Sequence, residues 1–247
     1  TGTTSTTFDS ITEAGIDTGG TSDAGHWGAT LAAGIDDNGT GSNEGNSTAK
    51  RQIGYELFDD PEQTDVSLFP IGVDPGQGTG NGNGGFELSD AVIVVAGTSR
   101  KDAVVFTSPA EGSVTGVDSN SSKASKVIAD RAKITGNSYA VMDSGWKQMY
   151  NKYTDKFVNV PLNGDVAGLC VATDNNRDPW YSPAGFNRGQ VKNVVKLHLD
   201  PNKSSRDTLY KKQVNPVATF PGEGPILFGD KTMQSKPSAF DRINVRR

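Results

Sequence analysis

Polar and small residues dominate the first part of this 247-residue chain, and apolar residues become frequent only later. Up to residue 43 the sequence is mostly Thr, Gly, Ser, Asp and Asn, a composition that predicts irregular structure rather than a packed core. From residue 44 onward, apolar residues recur at the spacings of helices and strands. The pattern therefore predicts a loop-rich segment, or the edge of a neighbouring domain, over residues 1–43, and a folded domain over residues 44–247.

Several stretches after residue 44 combine apolar residues at three- or four-residue spacing with capping residues, which is typical of amphipathic helices. In the first stretch, Ala49, Ile53 and Leu57 are four residues apart, and the pattern ends before Pro61. The further predicted helices begin at polar residues that can cap them, namely Ser122, Asn163, Ser204 and Ser238.

Short runs of β-branched and aromatic residues predict the strands. They lie at 66–71, 103–106, 139–142, 191–199 and 225–228, and alternation over 146–162 predicts a hairpin. Residues 88–96 allow either a strand or a helix, because a β-branched run lies between a Ser start and a Gly stop. Since strands and helices alternate from about residue 47, we expect an α/β fold, a mixed β-sheet flanked by helices and preceded by the Gly/Thr/Asn-rich irregular segment.

The net charge of −5 conceals a gradient along the chain. Residues 1–121 contain 18 acidic and 4 basic side chains, whereas residues 188–247 contain 5 acidic and 12 basic ones. This asymmetry indicates an acidic and a basic region on one molecule. The basic region would then meet either nucleic acid or the acidic region of another copy, unless folding mixes the two signs over an even surface.

A glycine-rich loop is the strongest candidate for ligand binding. The stretch from Gly80 to Gly85 fits the spacing of a dinucleotide-binding loop, follows a predicted strand and precedes a possible helix, and Asp102 lies near the position of a ribose contact. Asn-Gly repeats produce such matches by chance, so a surface loop is the favoured interpretation. A nucleotide-binding α/β domain is the alternative function.

The residues favour neither catalysis nor a metal cofactor. Ser144, between Asp143 and Gly145, would need a neighbouring base to act as a nucleophile, and the two histidines of the chain lie far apart in sequence. No nucleophile elbow surrounds Ser144 in the sequence. We therefore expect a turn at this position. Cys170, the one cysteine, lies between apolar residues of a predicted helix and is expected to be a small core residue.

A nucleic-acid or membrane partner is not favoured either. Trp180, Tyr181 and Phe186 lie close in sequence to Arg188 and Lys192, and together these could form a stacking, phosphate-binding surface. Because aromatic and basic residues do not alternate over a long span, we expect core aromatics beside a solvated basic strand. The longest apolar run has six residues, far fewer than the ~20 that a membrane-spanning helix needs.

Five segments in the second half of the chain are distinctive. They are DVAGLC at 165–170, WYSPAGFNRG at 180–189, VNPV at 214–217, LFGDKT at 227–232 and FDRINVRR at 240–247. In this order and spacing they resemble the contractile tail sheath proteins of large myophages. The resemblance extends from about residue 65 to residue 247 and is best after residue 141.

The resemblance implies a structural polymer that uses no nucleotide or other cofactor. Sheath subunits would stack as hexameric rings around a rigid tail tube in the virion, assemble in the host cytoplasm, and contract at a baseplate signal to drive the tube through the host envelope. The chain would then be an α/β middle part. Contacts with the tube and baseplate would be made by an N-terminal part and a tube-facing C-terminal domain that the chain lacks.

Head-to-tail polymers need two different complementary patches on each subunit, which the charge gradient can supply. The candidate contact residues are the basic side chains near the end of the chain: Arg188, Lys192, Lys196, Arg206, Lys211, Arg242, Arg246 and Arg247.

Overall fold

The computed structural model describes residues 48–74, 85–236 and 238–246. Within these ranges helices and strands alternate and form three small sheets, which confirms the predicted α/β class. The helices are α1 (Thr48–Glu56), α2 (Glu87–Val94), α3 (Glu111–Val114), α4 (Asn120–Lys133), α5 (Asn163–Asn176), α6 (Lys203–Lys211) and α7 (Ile243–Arg246). The strands are β1 (Leu68–Pro70), β2 (Val104–Thr107), β3 (Ala140–Met142), β4 (Trp146–Asn151), β5 (Lys156–Pro161), β6 (Lys196–Leu197), β7 (Val217–Phe220) and β8 (Gly224–Leu227). The loop-rich segment predicted at 1–43 lies outside the described residues.

A buried parallel sheet forms the centre of the fold, with β2 between β1 and β3. All four residues of β2 are buried, as expected for a parallel strand covered on both faces. Its side chains alternate between two apolar clusters, with Val105 in one cluster and Val104 and Phe106 in the other. The predicted strands at 66–71, 103–106 and 139–142 are confirmed, with small shifts at their ends.

Residues 88–96, which allowed either a strand or a helix, are helical. Helix α2 continues directly into a π-helical segment, Val95–Arg100, which ends at Lys101 in the left-handed conformation that commonly follows a helix. Leu88 and Val92 are fully buried whereas Val94 is exposed, so the helix buries one side. Packing of that side outweighs the weak preference of β-branched residues for strands.

The second sheet is antiparallel, and the predicted hairpin at 146–162 is confirmed as β4 and β5. The prediction of a strand over 191–199 is largely wrong, since only β6 pairs with the other edge of β4. Asn193 has a φ of 54°, which interrupts the extended backbone, and the amide of Val191 donates instead to the carbonyl of Pro225. Parallel and antiparallel strands therefore occupy separate sheets.

A third sheet consists of the hairpin β7–β8. The strand predicted at 225–228 is confirmed as β8, but its partner β7 was not predicted. The turn between the two strands contains Gly222, and Gly224 opens β8; their φ values are 83° and 80°, a conformation that residues other than Gly rarely adopt. These two glycines are the sequence signal that indicates a hairpin here.

Helices α4 and α6 begin before the residues predicted to cap them. Helix α4 is capped by Ser119, whose Oγ accepts from the amide of Ser122 at 3.2 Å, and the helix therefore starts before Ser122. Helix α6 is capped by Asn202, whose Oδ1 accepts from the amide of Ser205 at 2.9 Å, so the capping box predicted at Ser204 is wrong. Both true caps lie two or three residues before the predicted ones and satisfy an amide of the first turn.

Asn163 is the first residue of α5, but its side chain does not cap the helix. Its Oδ1 accepts from the amide of Gly72 at 3.2 Å, and its Nδ2 donates to the carbonyl of the same glycine at 2.7 Å. The prediction that Asn163 caps the helix is therefore wrong. This buried amide instead joins α5 to the loop after β1, where it pairs with both backbone groups of Gly72.

The end of the described chain is bound to the body of the fold. Ser238 precedes a 3-10 turn, Ala239–Asp241, and its Oγ accepts from the amide of Phe240. Helix α7 follows, with Ile243 fully buried, so helical structure after Ser238 is confirmed although it is interrupted at Arg242. Among the described residues, no helix has both the length and the apolar character needed to cross a membrane.

Candidate subunit-contact surface

Two of the predicted contact arginines stack on aromatic rings of their own chain. The Nε of Arg188 donates to the carbonyl of Ser182 at 2.7 Å, and its guanidinium lies 5.4 Å from the ring centre of Tyr181. The guanidinium of Arg206 lies 5.1 Å from the ring centre of Phe220. Both arginines are half-buried, so their planar cations stabilise the local fold by cation–π contact as well as carrying charge at the surface.

Arg242 belongs to a polar cluster between α6 and the end of the chain. It forms an ion pair with Asp230 and donates to the hydroxyl of Tyr210 at 2.5 Å. Burial lowers the pKa of Arg242, but the hydrogen bond and the charge of Asp230 outweigh burial and raise this pKa above its ordinary value. Burial, followed by the charge of Asp230, raises the pKa of the Tyr210 hydroxyl. The cluster therefore keeps Arg242 charged and bound in place.

Arg246 binds α7 to the strand region before β3. Its guanidinium lies 3.7 Å from the ring centre of Tyr139 and 4.2 Å from that of Phe240, and its Nε donates to the Oγ of Ser138 at 3.0 Å. An arginine between two rings makes contacts that a lysine cannot reproduce. The last predicted contact residue, Arg247, lies outside the described residues.

The three predicted contact lysines, by contrast, are exposed. Lys192 and Lys196 lie on either side of the short segment that leads into β6, and Lys211 lies at the end of α6. None of the three forms an ion pair within the part of the chain that the structure describes. The structure thus brings Lys192 and Lys196 to one sheet edge and leaves Lys211 on a separate helix, which packs against α4.

The hairpin surface, which we define as the exposed side chains of 149–158 with 192–196, was not predicted as a contact site. Tyr150, Tyr153 and Phe157 are 48%, 87% and 59% exposed, and Val195 is 57% exposed. The rings of Tyr150 and Phe157 meet edge to face with their centres 5.7 Å apart. Exposed aromatic side chains grouped in this way are typical of protein interaction sites rather than of solvated surface.

This hairpin surface borders a cavity of about 830 Å³. The cavity is lined by Met149, Tyr150, Asn151, Lys152, Tyr153, Val158, Asn193, Val194 and Val195. Lys147, buried beneath the sheet, donates from Nζ to Asp165 at 2.8 Å and to the carbonyl of Lys192 at 3.1 Å. That lysine fixes the backbone beside the cavity and leaves the side chain of Lys192 at the surface.

The acidic segment, which we define as residues 56–65, lies on the chain between α1 and β1. Its five acidic side chains are all exposed and form no ion pair among the described residues. They are Glu56, Asp59, Asp60, Glu62 and Asp65. The structure therefore confirms that part of the acidic charge of the chain lies at the surface instead of being neutralised internally.

The aromatic residues at 180–186 do not lie in the core, contrary to expectation. Trp180, Tyr181 and Phe186 are exposed. The ring of Phe186 packs edge to face on that of Phe220 with centres 5.0 Å apart, and the next aromatic neighbour is Phe228. This cluster is a half-exposed extension of the third sheet, since Arg206 covers part of it.

The turn expected at 143–145 is confirmed. The Oδ1 of Asp143 accepts from the amide of Gly145 at 2.8 Å, its Oδ2 accepts from Ser108 at 2.6 Å, and the Oγ of Ser144 accepts from the amide of Val217. Burial raises the pKa of Asp143 to about 8, although the hydrogen bonds from Ser108 and Gly145 act in the opposite direction. These side chains connect β3 to its neighbours and are engaged in structural hydrogen bonds.

The nucleotide-binding hypothesis gains no support from the described residues. Positions 80–84 of the glycine-rich loop lie outside them. Asp102, the candidate ribose contact, accepts two hydrogen bonds from Arg100, at 2.9 and 3.0 Å. The pKa of Asp102 is lowered, mainly by the hydrogen bonds from Arg100. Cys170 is fully buried in the second apolar cluster, as expected, and no group of three or more His, Cys, Asp or Glu able to hold a metal occurs in the described ranges.

The same fold occurs in solved structures of contractile assemblies. A chain of the anti-feeding prophage baseplate superimposes with a TM-score of 0.55 at 14% identity, covering 81% of this chain and 47% of that one. A chain of the PVC sheath complex in the contracted state gives a TM-score of 0.55 at 12% identity, covering 81% of this chain and 53% of that one. At such low identity these likenesses establish the fold alone.

The family follows from sequence comparison. Residues 87–233 match the phage tail sheath protein central domain, and the chain belongs to this family. It is 40% identical over 204 residues to the tail sheath protein of Enterobacteria phage T4, covering 78% of this chain and 30% of that protein. It is 44% identical over 167 residues to the tail sheath protein of Vibrio phage KVP40, covering 61% of this chain and 24% of that one. The chain therefore spans less than a third of the length of these relatives.

Proposed function

We propose that this chain is the central part of a subunit of a contractile phage tail sheath. The observation that carries the proposal is the family match over residues 87–233, which includes the hairpin surface and most of the buried residues of both apolar clusters. In this function the subunit polymerises with copies of itself as stacked hexameric rings around the tail tube, in the virion. The polymer assembles in the host cytoplasm. Its later contraction drives the tube through the host envelope.

The tube and the baseplate would be contacted by regions of the protein that this chain does not contain. The chain's own part would be to join neighbouring subunits, with no nucleotide, nucleic acid or membrane as partner. Two complementary patches on each subunit support such an arrangement, because head-to-tail contacts repeat along a polymer only when the two surfaces differ. The exposed acidic segment and the exposed lysines have this character.

Among the predicted contact residues, we assign direct contact to Lys192, Lys196 and Lys211. Their exposure supports this role, since each can approach a neighbour without breaking an internal contact. For Arg188, Arg206, Arg242 and Arg246 we propose an indirect role, in which each holds the surface that a neighbour meets. Arg247 stays a predicted contact residue on its charge and position alone.

Assembly of the complete polypeptide tests this function. Negative-stain electron microscopy at high protein concentration should show hollow, striated cylinders. A field of small particles of one size at every concentration and salt condition would contradict self-assembly and leave only the fold in common with sheath proteins.

A further inference from the structure

Helix α1 is attached to the body along one side and leaves an apolar ridge on the other. Arg51 donates from NH2 to the carbonyl of Ile71 at 2.7 Å, and the ring of Tyr55 packs edge to face on Phe69 with centres 6.0 Å apart. Ile53 and Leu57, also four residues apart, are 56% and 76% exposed. Leu57 directly follows the last residue of the helix, and a spacing of four residues at a helix end keeps two side chains on one side, so Ile53 and Leu57 form a ridge away from the attached side.

The ridge carries negative charge. Exposed acidic side chains begin directly beside it, at Glu56 on the helix and at Asp59 and Asp60 after Leu57. The same helix also carries two bases: Lys50 is exposed, and Arg51 donates to the carbonyls of Ile71 and Val73. Arg100, which donates to the carbonyl of Phe58, is bound to Asp102 through two hydrogen bonds. An apolar centre with a charged rim is the usual composition of a specific protein contact.

The hairpin surface is concave and carries mainly positive charge. Its cavity is lined mainly by apolar and aromatic side chains together with the exposed Lys152. Three further exposed lysines lie next to lining residues: Lys192 before Asn193, Lys196 after Val195, and Lys156 opposite Asn151 in the strand pair. The one acid within the turn, Asp155, accepts a hydrogen bond from the hydroxyl of Tyr150 at 2.5 Å. The rim is therefore positive overall and open to an acidic partner.

We infer that the cavity of the hairpin surface binds the Ile53–Leu57 ridge of a second copy of this chain. The aliphatic side chains would fill the cavity between Tyr150 and Tyr153, and the acids beside the ridge would face the lysines of the rim. The contact is heterologous, so each copy uses its ridge on one neighbour and its cavity on another, as a polymer requires. The inference rests on the proposed function in that it names the surfaces through which copies join.

The fold supports a head-to-tail arrangement of the two surfaces. The ridge and the acidic segment precede β1, at one edge of the parallel sheet, whereas the hairpin follows β3, at the other edge. The apolar side chains would supply most of the affinity, because aromatic anchors in desolvated pockets dominate binding energy. The charged rim would set the orientation and the rate of association.

Cysteine cross-linking between mixed variants tests the inference. Leu57→Cys and Tyr153→Cys are prepared as separate chains, of which one carries an affinity tag, and are mixed under mild oxidation. The native Cys170 is fully buried, and both new positions are exposed, so folding is expected to be preserved and is checked by thermal melting. Val117→Cys, at a fully exposed apolar position, is the matched control for chance collisions.

We expect a disulfide between Leu57→Cys and Tyr153→Cys chains at a yield at least ten times that of either variant with Val117→Cys. A yield no higher than this control would overturn the inference, and so would a dominant Tyr153→Cys homodimer, which indicates a symmetric contact. Microscopy of the wild-type protein tests the proposed sheath function independently of the cross-link. Cylinders without the cross-link would overturn the inference alone, whereas the cross-link without cylinders would support the inferred contact and contradict the sheath function.

Discussion

The parallel sheet and the hairpin surface differ in what covers them. Every residue of β2 is buried, and its side chains enter two apolar clusters of the same chain. In the hairpin, the ring of Phe157 is 59% exposed although it lies in a regular strand pair with Tyr150. Antiparallel sheets tolerate one open face, whereas parallel sheets are buried on both. The first region therefore holds the domain together, and the second is available to a partner.

The predicted contact residues divide in the same way. The arginines near the end of the chain bind rings, carbonyls and carboxylates of their own fold, as Arg246 does between Tyr139 and Phe240. Lysines such as Lys192 and Lys196 extend into solvent. A planar guanidinium stacks and forms several fixed hydrogen bonds, whereas an ammonium group is strongly hydrated, and this difference accounts for the division.

Truncating one aromatic residue in each region should give the largest contrast. Phe106→Ala removes a fully buried ring and should lower the free energy of unfolding by about 3–5 kcal/mol. Phe157→Ala, in the hairpin, should lower it by less than about 1 kcal/mol, because the ring is largely exposed already. Urea denaturation of both variants measures the two values. Similar losses would contradict the division into a folding core and a free surface.

The buried Asp143 makes the stability of the core depend on pH. Its pKa is about 8 in the folded chain and about 3.9 when unfolded, so the folded state holds the proton more tightly. The stabilising contribution is complete below about pH 4 and is lost as the pH rises towards about 8, with a slope of up to about 1.4 kcal/mol per pH unit. Asp143→Asn, which mimics the protonated form, should make the denaturation midpoint nearly independent of pH between pH 5 and 8. Parallel profiles for the variant and the wild type would show that Asp143 does not titrate in this range.

Removing the stacked guanidinium of Arg246 should cost less. Arg246→Ala loses the cation–π contacts with both rings and should lower the free energy of unfolding by about 1–2 kcal/mol. Arg246→Lys should recover only part of this loss, since lysine lacks the planar group. Lys211→Ala is the control at an exposed position and should change stability by less than about 0.5 kcal/mol. Equal effects at positions 246 and 211 would disprove the structural role assigned to the arginine.

Reversing the exposed lysines should leave stability almost unchanged and affect assembly instead. The triple variant Lys192→Glu, Lys196→Glu and Lys211→Glu should unfold within about 0.5 kcal/mol of the wild type. Its assembly should require a higher protein concentration, and raising the salt concentration should reduce the difference from the wild type, because salt screens surface charges. The variant with arginine at the same positions keeps the charge and is the control. If the triple variant assembled like the wild type and with the same salt dependence, these lysines would not take part in the contact between subunits.

Much of the fold can be predicted from the sequence because its elements have strong local signals. Buried runs such as 103–106 and the alternating hairpin leave few alternatives. The cap at Ser204 is predicted incorrectly because Asn202, Ser204 and Ser205 all lie near the start of α6. The cap at Asn163 is predicted incorrectly because its side chain binds Gly72, a contact far away in sequence. The break at Asn193 is a tertiary effect, since φ there is positive within a run that favours a strand.

The candidate site is predictable only in part. The charge gradient indicates that acidic and basic surfaces exist, but it does not distinguish Lys192, which is exposed, from Arg242, which is bound to Asp230. The sequence does not predict the exposed rings of the hairpin. Alternation indicates that one face of a strand is buried, but it does not show whether residues of the same chain cover that face. The partner that covers such a face belongs to the assembly, and sequence periodicity does not describe it.

Hydrogen–deuterium exchange of the complete polypeptide, dispersed and assembled, tests the division between core and contact surface most directly. The amides of β2 and β3 should exchange slowly and equally in both states. Those of residues 150–157 and 53–62 should become protected on assembly. New protection confined to other parts of the chain, with both of these segments unchanged, would contradict the account.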